Sequence, residues 1–417
     1  MAPCIPKKVP IFLLIATMVI VFACGRKGPS WGDILDKQMD QPNSIIQVDT
    51  EVVDFMIKYK IPGMSIAISK NGRMIYSKGY GFADKSIAAE VNTKTLFRIG
   101  RVSGLLTSIA IMKLIGDGKI SLKSKVFGDS GILGNQYGAL PYERNITNID
   151  VSELLHHNAG GWSGTDDLVW NSKYLDMAIN PGQLISYTLK NVPLRTSPGS
   201  TFAFSNLGYL VLGRIVEKVS GMSYQDFVKE KILKELGVSD MHIEGNAANK
   251  RQKNETIYYK DGLFHLPIID NEKTGEECYP YSALGDACFG WIASAEDLLK
   301  IIANLDDSTS KTPILSARGL KMLLSADTTN PHVACGIFWN DNFSNWFDLG
   351  TYRGSSSEIA HTHDGYCWAI LVNIDRPASE TYLSDMDQIF WKAVGNPGTK
   401  WPDTDLFDAK PKTIPQQ

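Results

Sequence analysis

The sequence has no dense basic run. Its 42 Lys and Arg are balanced by 45 Asp and Glu, for a net charge of −3. Holding a phosphate backbone needs a concentrated patch of cations, so nucleic acid is excluded as a partner. Cysteine and histidine are scarce, six and seven in 417 residues, and none of the usual zinc spacings is present. No metal or other cofactor is expected. The longest apolar run near the N-terminus, Ile11 to Ala23, is too short to cross a hydrocarbon core of roughly 30 Å comfortably. Internal repeats and low-complexity tracts are missing too. What is left is an ordinary globular balance, 43% hydrophobic and 21% charged. At roughly 100–200 residues per domain, the length suits two or three folding units or one large two-lobed one.

The N-terminus carries an address. Lys7 and Lys8 precede the apolar run, and small residues close it. This is the layout of a secretory signal peptide or N-terminal anchor over residues 1–24, with a cut near Cys24. Val-Phe-Ala-Cys also resembles a bacterial lipoprotein box, apart from bulky Phe22. The mature chain is expected to be secreted or extracytoplasmic, released or tethered to a membrane at its N-terminus. In a eukaryotic cell Asn145, Asn254 and Asn342 would head glycan triplets. Export places Cys278, Cys288, Cys335 and Cys367 in an oxidising compartment, where an even number of cysteines suggests disulfides. Cys278–Cys288 would close a short loop and is the first pairing to expect. Four separate buried thiols are the alternative.

Residues 25–44 read as a polar linker. Residues 45–60 have helical periodicity. Two strand-like runs follow, Gly63 to Ser69 and Arg73 to Gly79, separated by Asn71-Gly72, a strong hairpin signal. An apolar helix is expected over 102–115, and another over 205–219, where Leu207, Leu210, Val211, Ile215 and Val219 recur before Gly221. Residues from about 120 to 305 look mostly helical. Beyond 330 strands return: Val333 to Trp339, Trp346 to Leu349, Ser356 to Thr362 and Tyr366 to Ile374, the last two joined by a turn at His363-Asp364-Gly365. A closing helix is expected over 379–394. The pattern implies an α+β fold in which both chain ends build one antiparallel sheet flanked by helices. A mostly helical lobe, about 105–305, is inserted between them. The domain should span 45–395, with 396–417 as a C-terminal tail.

Three segments carry a family resemblance. Phe97-Arg98-Ile99-Gly100 leads into a helix, Leu154-Leu155-His156-His157-Asn158-Ala159-Gly160-Gly161 forms a loop, and Pro198 to Asn206 leads into the second helix. Their order resembles the serine β-lactamase-related family of class C β-lactamases, D-alanyl-D-alanine carboxypeptidases and related esterases. Gly208-Tyr209, Gly213, Glu217-Lys218, Leu236-Gly237 and Gly290 to Leu298 extend the likeness. The resemblance implies a β-lactamase/transpeptidase-like fold. It also implies three reactive motifs: Ser-x-x-Lys at a helix start, Tyr-x-Asn, and a His or Lys two residues before a Gly on a strand. The first spacing puts nucleophile and amine one turn apart on one helix face. Together the motifs activate a serine and stabilise an oxyanion.

The chain departs at the reactive positions. Arg101 stands where the serine would be and Gly104 where the lysine would be. Phe204-Ser205-Asn206 keeps the ring of Tyr-x-Asn without its phenol. In Trp346-Phe347-Asp348-Leu349-Gly350, Asp348 takes the place of the cation or imidazole; Asn206 and Gly350 survive. A guanidinium is neither nucleophile nor ready base. Ser103 is two residues along, about 200° around the helix, with Leu106 three residues on; it reads as a hydroxyl bonding backbone. His156-His157 is assigned no catalysis. His361-Thr362-His363-Asp364 is similar in outline to a metallo-β-lactamase run, but no further His follows and the Asp-Gly fits a turn.

The favoured expectation is an exported pseudoenzyme that acts by binding an unidentified small molecule or protein, anionic or peptide-like, with Arg101, Asn206 and Asp348 as ligand-binding residues. A working serine hydrolase with a relocated nucleophile is the alternative. In the fold that the resemblance implies, positions 101 and 348 face one cleft; Arg101 and Asp348, of opposite charge, should therefore approach within ion-pair or one-water distance, with Asn206 nearby.

Overall fold

The computed structural model describes residues 30–164, 167, 169, 180–243, 252, 254–259, 284–305, 313–352, 354–374 and 377–407. The leader, Cys4, Cys24 and Cys278 lie outside them, so nothing structural bears on the 1–24 expectation.

In chain order the helices are α1 (Trp31–Met39), α2 (Ile46–Tyr59), α3 (Ser103–Gly116), α4 (Val151–Leu155), α5 (Pro181–Asn191), α6 (Asn206–Ser220), α7 (Tyr224–Val228), α8 (Ala295–Asn304), α9 (Ala317–Leu323) and α10 (Tyr382–Gly395). The strands are β1 (Gly63–Lys70), β2 (Arg73–Asp84), β3 (Ala89–Glu90), β4 (Phe97–Arg98), β5 (His242–Ile243), β6 (Trp291–Ala293), β7 (Phe338–Trp339), β8 (Trp346–Tyr352), β9 (Ser355–His361) and β10 (Tyr366–Val372).

Seven strands form one sheet in the order β3-β2-β1-β10-β9-β8-β7. Strands from both chain ends meet at its centre, where β1 runs antiparallel to β10 from Met64↔Val372 to Lys70↔Tyr366. The Asn71-Gly72 hairpin joins β1 to β2, with both residues at positive φ. Period-two patterning decides what covers each face. Met64, Ile66 and Ile68 of β1 join Trp368 and Ile370 in one core, with Val52, Met56 and Phe390 from α2 and α10. Ala67, Ala369 and Leu371 look the other way, into the larger core that holds α3, α6 and α8. A small sheet, β4-β6-β5, lies outside the main one.

Four expectations need correction. The supposed linker contains α1. Ser30 and Asp33 form a capping box, and Ile34, Leu35 and Gln38 are buried; this narrow stripe among charges was too short to show as periodicity. The supposed tail is partly docked: the Met74 N–H donates to Asp405, the Leu406 N–H donates to the Met74 carbonyl, and Leu406 and Phe407 join the larger core. The inserted lobe is less helical than expected, because residues 118–145 are turns and irregular backbone. Finally, only Phe338–Trp339 of the run from Val333 is strand, because Gly336 sits at φ +77° and turns the chain first.

A buried polar knot ties α2 to the sheet. Asp49 on α2 accepts from the Tyr76 and Tyr80 hydroxyls and from the Lys78 ammonium at 3.0 Å, and Lys78 also donates to Ser44 at 2.7 Å. Both members of the Asp49–Lys78 pair are almost wholly buried. Removing one charge from such a pair strands the other. Asp49→Ala is therefore expected to lower the unfolding free energy by about 3–5 kcal/mol, read from urea denaturation. An unchanged midpoint would show that the knot contributes nothing.

Candidate functional site

The site lies where the start of α3 meets β8. A 3-10 turn, Gly100–Val102, precedes α3 and carries Arg101. Gly350 lets this turn sit against the strand, since a Cβ there would overlap the Ile99 carbonyl oxygen and Ser357 Oγ. The Ser357 hydroxyl donates to that carbonyl at 2.7 Å. Close approach explains the surviving glycine better than chemistry does.

Arg101 and Asp348 come together. Nη2 of Arg101 is 2.8 Å from Oδ1 of Asp348, and the Arg101 Nε–H donates to the Leu349 carbonyl at 3.0 Å. The guanidinium is flanked by Phe338 at 4.5 Å and by Phe204 at 5.4 Å, within cation–π range. Asp348 also accepts the Leu349 N–H at 2.9 Å. It is 2% exposed, whereas Arg101 keeps 31% of its side chain open. Burial pushes the Asp348 carboxyl up to about 6, outweighing the opposing pull of Arg101.

Gly104 lies beneath Tyr209. A Cβ at 104 would come within 3.2 Å of Tyr209 Cε1, a tight contact that the ring would have to yield slightly to admit. The Tyr209 hydroxyl donates to the Leu155 carbonyl at 3.1 Å. Burial holds its pKa well above the ordinary phenol value. Asn206, first residue of α6, donates from both backbone and side chain to Asp167, whose carboxyl burial raises to about 6.

The cavity lined by Arg101, Gly104, Phe204, Asn206, Tyr209 and Asp348 has a volume of about 20 Å³, room for a water molecule or so. His157, Ser205, Cys288 and Phe338 line it too, and none of these four was singled out as a site residue from sequence. His157 adopts φ +55°, a costly conformation for a bulky residue. It is held there by the Ser205 N–H donating to Nδ1 at 3.1 Å and the Ala203 N–H donating to its carbonyl at 2.7 Å. Burial, and secondarily Arg101, depress its pKa to about 3, so it is a neutral ring stacked on Tyr209 and tilted against Phe204. Ser205 Oγ accepts the Gly208 N–H as the cap of α6. The Cys288 thiol donates to the Gly285 carbonyl, and burial raises its pKa well above the ordinary value. Among the described residues, then, no nucleophile in the cavity faces a base. Ser103 is fully buried, and its Oγ accepts the Trp291 N–H at 3.2 Å.

The disulfide expectation fails for the cysteines described. Cys288, Cys335 and Cys367 are buried thiols, on the 284–290 turn, the 333–337 turn and β10. Cys335 is 3.6 Å from His156 Nε2 instead. Of the other histidines, His361 stacks on Trp346 at the end of β9, and His363 lies in the turn that follows.

Because the folded-state pKa of Asp348 is raised above the ordinary value near 3.9, the folded form holds its proton longer than the unfolded form. Its contribution to stability is full below about pH 4 and falls as pH rises to about 6. Asp348→Asn removes this loss. The stability of the variant relative to wild type should rise by about 1–3 kcal/mol between pH 4 and 6 and stay level above, measured by urea unfolding at each pH. A pH-independent difference would mean that Asp348 titrates normally.

Comparison with known proteins agrees with this geometry. Protein flp of Staphylococcus aureus (strain MW2) is 26% identical over 337 residues, 79% of this chain and 63% of that one. The chain thus spans under two thirds of the length of that curated relative. An octameric penicillin-binding protein homologue from Pyrococcus abyssi superposes with a TM-score of 0.64 at 21% identity, over 83% of this chain and 76% of that one. A beta-lactamase/D-alanine carboxypeptidase from Pseudomonas syringae gives 0.62 at 19% identity, over 86% and 98%. These superpositions show a β-lactamase/transpeptidase-like fold. The Beta-lactamase family profile matches residues 48–385, and the chain belongs to that family.

Proposed function

We propose that the protein is an exported, binding member of the family whose serine acyl-transfer machinery has been lost. One observation carries the reading: an ion-paired guanidinium, Arg101 with Asp348, occupies the position to which the family resemblance assigns the nucleophile, and Gly104 the position it assigns to the lysine. Acyl transfer needs a nucleophile, a base and an oxyanion site acting as a unit, and losing a member of such a unit costs orders of magnitude. Here the hydroxyls of Ser103 and Ser205 hold backbone N–H groups. Arg101, flanked by two aromatic rings and with 31% of its side chain open, suits recognition of an anionic or peptide-like partner at the mouth of the cleft.

The protein should not raise hydrolysis of nitrocefin or p-nitrophenyl butyrate above background. Turnover abolished by Ser103→Ala or Ser205→Ala would overturn the reading in favour of a relocated nucleophile. Export rests on Lys7, Lys8 and the apolar run ahead of Cys24. N-terminal sequencing of protein from its native source should begin near Cys24, and an intact Met1 on cytosolic material would count against it.

A further inference from the structure

A guanidinium has five N–H donors. Arg101 gives its Nε–H to Leu349 and one Nη2–H to Asp348, and no further hydrogen bond engages it among the described residues. With 31% of the side chain open, the remaining donors have a route to solvent. Phe338 and Phe204 lie 4.5 and 5.4 Å from the group. A guanidinium edge is the fork that matches a carboxylate.

Asp348 sets a condition on any such ligand. It is buried, and its cation is Arg101. The other titratable groups around the cleft are the neutral His157 ring beside α4, the Tyr209 phenol on α6, the Cys288 and Cys335 thiols on the two turns, and the Asp167 carboxyl. None of them supplies a second positive charge. When a ligand carboxylate shares Arg101, two anions face one cation, and one of those anions is out of water. A buried carboxylate without its own cation neutralises by taking up a proton.

Building on the reading of this cleft as a binding site, we infer that it takes small carboxylates on the open edge of Arg101 and that each binding event places one proton on Asp348. The balance is site plus ligand carboxylate plus one solvent proton, giving a complex with a neutral Asp348 carboxylic acid and an Arg101–carboxylate pair. No bond other than O–H forms. The raised pKa of free Asp348, about 6, fixes the window. Below it the proton is already in place and affinity is flat. Above it affinity falls tenfold per pH unit. A free small acid and the C-terminus of a peptide present the same group.

The test is titration calorimetry on the mature chain at pH 6, 7 and 8, in two cationic buffers of different ionisation heat. The probes are butyrate, N-acetyldiglycine and N-acetyldiglycine amide. Expected are uptake of about one proton per carboxylate bound at pH 8, an affinity about tenfold weaker at pH 8 than at pH 7, and no binding of the amide. Binding confined to butyrate assigns the site to free acids, and binding confined to N-acetyldiglycine assigns it to peptide ends. Asp348→Asn should bind with the same affinity at all three pH values, and Arg101→Gln should not bind. Equal wild-type affinity at pH 6 and 8, absent proton uptake, or no binding of either carboxylate at pH 6 would overturn the inference. The proton count needs wild-type protein only, so it holds whether or not the variants fold. Nitrocefin is added to the same samples: its turnover would overturn the binding reading itself, while failure of the carboxylates alone leaves that reading in place.

Discussion

Everything in this molecule hangs on the pairing of β1 with β10. Seven consecutive residue pairs join a strand near residue 65 to one near 370, so the ladder closes a loop of about three hundred residues. The entropic cost of closure grows only slowly with loop length, and the strands meet it by burying Ile66, Ile68, Trp368 and Ile370 in one core. Once they are paired, the intervening chain must leave the sheet and return to it. The lobe carrying α3, α4 and α6 is the result, and the cleft is the seam between that lobe and the sheet.

The seam shows how an ion pair settles a pocket lined largely by aromatic rings. A lone guanidinium or a lone carboxylate in that position would be costly. Together, with the Leu349 backbone supplying both an acceptor for Arg101 and a donor for Asp348, the charges satisfy each other. The aromatic rings of Phe204, Phe338, Tyr209 and His157 take up most of the remaining volume. Asp348 resides in the strand core and Arg101 at the rim, so the pair is asymmetric: the anion depends on the cation far more than the reverse.

How much of this could be read from the sequence depends on range. The β1–β2 hairpin, α2, α6 and the β9–β10 turn are written in local periodicity and turn chemistry. The positions of Arg101, Gly104, Phe204, Asn206 and Asp348 follow from the family resemblance of the segments around them, and the meeting of Arg101 with Asp348 from their opposite charge at two places that face one cleft in the fold that resemblance implies. Phe338, Tyr209 and His157 were not legible as site residues, because an aromatic on a helix or in a loop carries no mark of which wall it will form. Helix α1 was hidden because its buried stripe is only Ile34, Leu35 and Gln38. The cysteines misled for a similar reason: parity and compartment argue for disulfides, but pairing is a matter of three-dimensional distance.

The packing of Tyr209 on Gly104 bears on how such a protein can change over generations. The first carbon of any side chain at position 104 would meet the tyrosine ring at 3.2 Å, so the ring would have to give by a few tenths of an ångström. The ring is itself anchored at Leu155 and stacked on His157. Substitution at 104 alone would press on a ring held by two other segments, and substitution at 209 alone would open a void in the core. Positions 104, 155, 157 and 209 thus constrain one another through a single ring. A change at 104 is therefore felt at once in α4, in the loop at 157 and in α6.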